Sequence, residues 1–197
     1  MRDVTAPGEV VTERLVLVRP RAEDAADIFE RYASDPEVTR FLGWPRHTSI
    51  RDTQAFLAFS ASEWERWPAG PYLVRHRGDG QLLGGTGLGF ETAERAMTGY
   101  VLAKDAWGRG YATEALVAMV EIARLTGIRR LYALCHPDHR ASGRVLEKCG
   151  FALESDGAQP VTFPNLSTTA VQAHRYELMI EGRFRNEHSP TKSRATQ

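Results

Sequence analysis

The stretch Trp107–Gly127, WGRGYATEALVAMVEIARLTG, tolerates one local structure. Ala112, Leu116, Met119, Val120 and Ala123 recur at three- and four-residue steps, so the segment is a helix with one apolar stripe. That stripe needs a sheet or another helix to cover it. Gly127 suits the residue that closes a helix. The start is less ordinary. A structural helix opens most readily on Ser, Thr, Asp or Asn, whereas this one opens on Gly108-Arg109-Gly110.

The surrounding chain supplies the sheet. VVTERLVLVRP alternates up to Pro20 and reads as a first strand, and RAEDAADIFERYAS puts Ala22, Ala25, Ala26, Phe29 and Tyr32 on one helical face. After FLGWPRHTS a second helix starts near Ser49 with Phe56, Leu57 and Phe59; Trp64 and Trp67 follow, and Pro68 and Pro71 punctuate its end. PYLVRH, QLLGGTGLGF and AMTGYVLA are three strands separated by the turns RGDG and ETAER. Beyond the opening helix come the strand RRLYALCH, a short helix HRASGRVLEKC closed by Gly150, and the strands FALES and VQAHRYELMI. This order predicts an α/β fold: a mixed sheet of about seven strands with four helices packed on it. One domain over residues 12–181 is expected, with tails at 1–11 and 182–197, the second polar and disordered.

Composition excludes several classes of function. Twenty-five acids balance twenty-five bases with no long run of either, which argues against a nucleic-acid partner. No apolar run reaches the ~18–20 residues of a membrane span, and MRDVTAPGEV lacks a secretory core, so no membrane partner is expected. Two cysteines, Cys135 and Cys149, make no disulfide framework, and a cytoplasmic location follows as the expectation. Cys135, His136 and His139 crowd into five residues without a fourth ligand, so no metal is expected.

The glycine-rich helix start is suited to an anion. Unpaired amides and the helix dipole attract negative charge there, the glycines clear the approach, and Arg109 adds a cation. A tight turn needing a positive φ is the purely structural alternative. Two phosphate loops fail by spelling. No Gly-Lys-Ser/Thr run exists, and a dinucleotide fingerprint would need glycine at Thr113 and an acid where the next strand ends in Cys135-His136.

GYVLAKDAWGRGYATEAL followed by ASGRVLEKCGF resembles the GNAT superfamily of N-acetyltransferases, in particular its RimJ/RimL-type branch. TERLVLVRP, DPEVTRFLGW and the closing strand fit that branch too, so the resemblance spans roughly Thr12 to Ile180. It implies a GNAT-like fold and acetyl-CoA as co-substrate. The backbone of Val101, Leu102 and Ala103 would pair with pantetheine, and the amides of Gly108, Arg109, Gly110, Tyr111 and Ala112 would hold the pyrophosphate beside Thr113. Trp107 stands where the wider superfamily often has Gln or Arg. The resemblance also implies an amine acceptor and direct attack within a ternary complex. It leaves open a monomer or a homodimer, and the acceptor as peptide N-terminus, small-molecule amine or aminoglycoside-like drug.

Acetyl transfer to an amine needs a neutral amine, a stabilised carbonyl oxygen and a proton for the leaving thiolate. The branch's pattern assigns the acid to Ser142, whose structural alternative is a helix-start hydroxyl bonded to backbone. Two positions depart from the pattern. His139 replaces an Asn and can still bond the co-substrate, while Met97 replaces a Glu that serves relatives as a candidate base. His136, Glu91 or a water relay remain as the proton's route. The missing carboxylate keeps a second class in view, an acyl-CoA-binding or sensing module. FLGWPRH, Trp64 and Trp67 are either one wall of the acceptor cleft or core, and the loop PVTFPNLSTTAV is placed to cap it.

Overall fold

The computed structural model describes residues 4–181. The tail expected at 182–197 lies outside the described residues. The elements in chain order are β1 (Glu9–Val11), β2 (Leu15–Val18), α1 (Ala25–Ile28), α2 (Ile50–Arg66), β3 (Pro71–His76), β4 (Leu82–Thr92), β5 (Arg95–Leu102), α3 (Tyr111–Leu125), β6 (Arg130–Cys135), α4 (Arg140–Lys148), β7 (Ala152–Leu153), β8 (Gln159–Val161) and β9 (Val171–Met179). The strands order as β1-β2-β3-β4-β5-β6-β9-β7, with β8 on β9. Neighbours are antiparallel except β5 and β6, which run parallel.

Nine strands replace the expected seven, through two added strands. VVTERLVLV is a hairpin: Thr12 and Arg14 form a turn in which Thr12 N–H donates to Leu15 C=O (2.9 Å), so Glu9–Val11 belongs to the sheet and not to an N-terminal tail. β8 hides in the loop before the last strand, where Pro160 breaks the strand signal, and it pairs with β9 alone. The first helix is also broken, passing from a 3-10 turn (Ala22–Asp24) through α1 to a π turn (Phe29–Ala33). Its buried face is Ala25, Ile28, Tyr32 and Ala33; Ala22 and Ala26 face solvent.

Two apolar clusters flank the sheet. The α3 stripe (Ala115, Leu116, Met119, Ala123) packs with Leu15, Leu17, Val74 and Leu131, while Ile28, Tyr32 and Leu57 pack with Leu73 and Leu82. Leu73 and Val74 fall in different clusters, as the period-two alternation of a strand requires. Ser49 caps α2 with a capping box in which Asp52 accepts from the amides of Thr48 (2.8 Å) and Ser49 (3.0 Å).

Candidate active site

The site begins where the sheet parts. β5 pairs with β6 only through Arg95–Met97 against Arg130–Tyr132. From Thr98 onward β5 keeps β4 on one side and, among the described residues, has no strand on the other, because β6 continues with β9. Between the parted strands and α2 lies a cleft of about 1080 Å³. Val101 lines it, and the carbonyl of Leu102 accepts a hydrogen bond from the Trp107 indole Nε1–H (2.7 Å). Trp107 therefore clips the end of β5 to the turn that follows. Ala103 donates back to Leu83 (2.7 Å).

That turn carries the expected anion site. Gly108 and Gly110 sit at φ of +73° and +81°, a backbone region that glycine enters without strain. Gly110 caps α3 with no side-chain bond, and Glu114 is the first amide to bond back, to Gly110 C=O at 3.1 Å. Among the described residues the amides of Gly108, Arg109, Gly110, Tyr111, Ala112 and Thr113 have no acceptor. The donor set fits a diphosphate, whose oxygens need many N–H groups converging at the positive end of a helix. Arg14 holds this turn from behind. Its Nη1 donates to Arg109 C=O (2.9 Å), its Nε pairs with Glu114 (2.7 Å), and its guanidinium lies 4.8 Å from the Tyr111 ring. Burial would raise the Glu114 carboxyl, but hydrogen bonds from Thr12 and Arg14 outweigh it and hold the group below the usual range. Sequence reasoning missed Arg14 and Glu114, which lie a hundred residues apart in the chain.

The parted strands also bring the chemical groups together. Ser142 lies at the start of α4, and its Oγ accepts from the Tyr100 hydroxyl on β5 (3.2 Å). Burial pushes the Tyr100 phenol up to about 12, the nearby Ser142 bond opposing it, so it stays protonated and donates. Tyr100 was legible only as half of a Gly-Tyr pair in a strand; its neighbour Ser142 appears with the fold. His139 precedes α4, its ring stacked on Phe41 at 4.7 Å. Burial, then the neighbouring His136, holds the His139 ring below 6.5, so it is neutral. Its ring nitrogens have no partner among the described residues. His136 lies beside Phe41 and Phe163, and its Nδ1 accepts from the Asp138 amide (3.1 Å). That bond occupies the Nδ1 lone pair and leaves Nε2–H as the ring's donor to other groups. Cys135 is buried beside them as a thiol, its pKa raised by burial.

The other candidates divide cleanly. Glu91 bonds the Tyr132 hydroxyl and Arg95 (3.0 Å) and does not line the cleft. Met97 does line it, 42% exposed. Trp64 is core, donating to Pro71 C=O (2.8 Å), and Trp67 stacks on Phe90. Trp44 of FLGWPRH faces the cleft, as do Phe56 and Phe59. Val161 at the end of β8 and Phe163 in the loop after it also line the cleft. Asn165 ties that loop across, accepting from Arg46 N–H (2.7 Å) and donating to Thr39 (2.8 Å) and Trp44 (2.9 Å) carbonyls.

A free strand edge thus leads from a helix start suited to a diphosphate to a paired serine and tyrosine, an arrangement that suits a transferase acting on a phosphate-bearing donor. The acetyltransferase (GNAT) domain model matches residues 14–152, and the chain belongs to that family. It is an acetyltransferase, and the family's general reaction is acetyl-CoA-dependent N-acetylation. Bacillus subtilis YoaA, an uncharacterized N-acetyltransferase, is 29% identical over 146 residues, 73% of this chain and 82% of YoaA. The fold is also that of RimL, a ribosomal L7/L12 alpha-N-protein acetyltransferase solved with coenzyme A (TM-score 0.74, 22% identity, 87% of this chain and 97% of RimL). The microcin C7 self-immunity acetyltransferase MccE, solved with acetyl-CoA and AMP, is similar to the same degree (TM-score 0.75, 19% identity, 90% of this chain and 99% of MccE).

Proposed function

We propose that this protein transfers the acetyl group of acetyl-CoA to a primary amine by direct attack in a ternary complex, with Ser142 as the acid. The observation that carries this reading is the parting of β5 from β6. It leaves one strand edge running between the unpaired amides at Gly108–Thr113 and the Ser142–Tyr100 pair. Acetyl-CoA supplies an acetyl group on a thiolate leaving group. It would lie along the free edge of β5 beside Val101, with the Leu102 carbonyl and the Ala103 amide already held by Trp107 and Leu83, and the turn at 108–113 would hold its diphosphate. Ser142 Oγ, fed by the Tyr100 hydroxyl, would give a proton to the departing sulfur as the C–S bond breaks.

The amine must lose a proton as the C–N bond forms. His136 was the expected base, but its Nδ1 lone pair is engaged by the Asp138 amide. The acceptor nitrogen of the His139 ring has no partner among the described residues and its pKa is lowered, so we assign the base to His139, with His136 as a donor beside it. Thiol release from acetyl-CoA with a panel of amines tests the activity. Ser142→Ala tests the acid: kcat and kcat/KM should fall together by up to ~10²-fold, with KM nearly unchanged. A variant that melts lower by about 1 kcal/mol yet turns over at the wild-type rate makes Ser142 a structural hydroxyl. An acyl-CoA-binding module would bind acetyl-CoA and release no thiol with any amine.

A further inference from the structure

The acceptor side of the cleft is apolar and carries one unclaimed charge. Trp44, Phe56 and Phe59 line the α2 wall, and Phe163 lines the covering loop. A Cβ built on Gly99 of β5 would meet nothing within 4 Å, so the strand there faces open space. Phe59 is 55% exposed, apolar surface whose covering by an occupant is favourable. Charges along the wall already have partners, with one exception. Asp52 caps α2 and Arg46 donates to Ser34 C=O (3.2 Å). The Glu63 carboxylate, one helical turn beyond Phe59, has no partner among the described residues and lines the cleft.

Glu63 shares the cleft with Tyr100, His139 and Ser142. The next residue, Trp64, donates to Pro71, which pairs with Gly87, while Tyr100 pairs with Thr86 on the same strand. That turn of α2 is therefore docked at the Pro71–Gly87 pair, next to the strand position of Tyr100. We infer that the acceptor is a compact primary amine on an aromatic or branched-aliphatic frame. The frame covers Phe56 and Phe59, and Glu63 draws in the ammonium before its proton is removed. This inference rests on the amine-acetylation reading above. An extended peptide suits the cleft poorly, since each residue brings an N–H and a C=O that aromatic walls cannot pair.

The test compares kcat/KM at saturating acetyl-CoA for phenethylamine, isoamylamine, ethanolamine and a tetrapeptide with N-terminal Ser. The apolar amines should exceed ethanolamine by about 10²-fold. Phe59→Ala, at an exposed position, should weaken apparent binding of phenethylamine roughly 10-fold, read as a higher KM, and leave that for acetyl-CoA alone. Glu63→Gln should raise KM for both apolar amines, and salt should weaken wild type more than this variant. A higher kcat/KM for ethanolamine or the peptide overturns the apolar acceptor while acetylation stands. The same holds if both variants match wild type with folding intact by melting curve. Thermal stabilisation by acetyl-CoA without thiol release from any amine overturns both readings.

Discussion

Replacing Arg14 by Ala should weaken the fold and the co-substrate site together. The substitution removes a charge-assisted bond to Glu114, whose side chain is only 15% exposed, and the bond that fixes Arg109 C=O. A hydrogen bond to a charged group contributes about 1.5–3 kcal/mol, and an exposed cation–π contact about 0.5–1. The Arg14 side chain is itself 41% exposed, so solvent returns part of this. A net loss of ~2–3 kcal/mol follows. For a domain of this size that lowers the melting temperature by about 4–12 °C. Glu114 adds a pH signature. Its carboxyl is held below the usual range, so its contribution is present above the ordinary carboxylate value and disappears as pH falls through the depressed one. Without Arg14 that acid-side loss should shrink. With the carbonyl of Arg109 released, the turn at 108–110 loses its rear support, and the KM for acetyl-CoA should rise ~10-fold, or about 1.4 kcal/mol, with kcat within about two-fold. Arg14→Lys keeps the charge but not the fork, so it should recover stability more than KM. Scanning calorimetry across pH and steady-state kinetics on both variants decide. A lower melting temperature with an unchanged KM for acetyl-CoA would refute the proposed hold on the phosphate turn.

Three further outcomes follow from the same site. Acetyl-CoA at ~100 times its Kd should stabilise the wild type by about 2.7 kcal/mol; Gly110→Glu, which places a carboxylate at the anion site and a side chain at φ +81°, should lose that shift in a thermal melt. The acid limb of the kcat/KM profile should lie below 6.5, because burial and His136 keep the His139 ring neutral there, and His139→Gln should remove the limb and slow turnover ~10²–10⁴-fold. Stability follows the same group: below 6.5 the unfolded chain takes up the His139 proton first, so the folded state loses ground as pH falls. A His139→Gln enzyme with the wild-type profile would return the proton to a water route.

Periodicity and glycine spelling are local, and what they control was legible in the chain. The α3 stripe, the strands β3 to β6, the capped α2 and the positive-φ glycines at 108, 110, 127 and 150 all follow from residues within a few positions of one another. The hairpin at Thr12–Arg14 was not legible, because its turn depends on Glu114 receiving Thr12 and Arg14 from another element. β8 is similar: its strand exists through pairing with β9. The chemistry divides along the same line. Ser142 and the helix start stand in recognisable motifs, whereas the Tyr100 bond needs β5 and α4 brought together across 42 residues. Trp44 and Trp64 show why side-chain identity alone does not decide. Both are tryptophans beside the cleft region, yet one lines it and the other is core, because the register of α2 on β3 aims Trp64 at Pro71. Sequence patterns set which faces are apolar and where the chain turns; long-range packing decides which polar groups meet, because their partners lie tens of residues away.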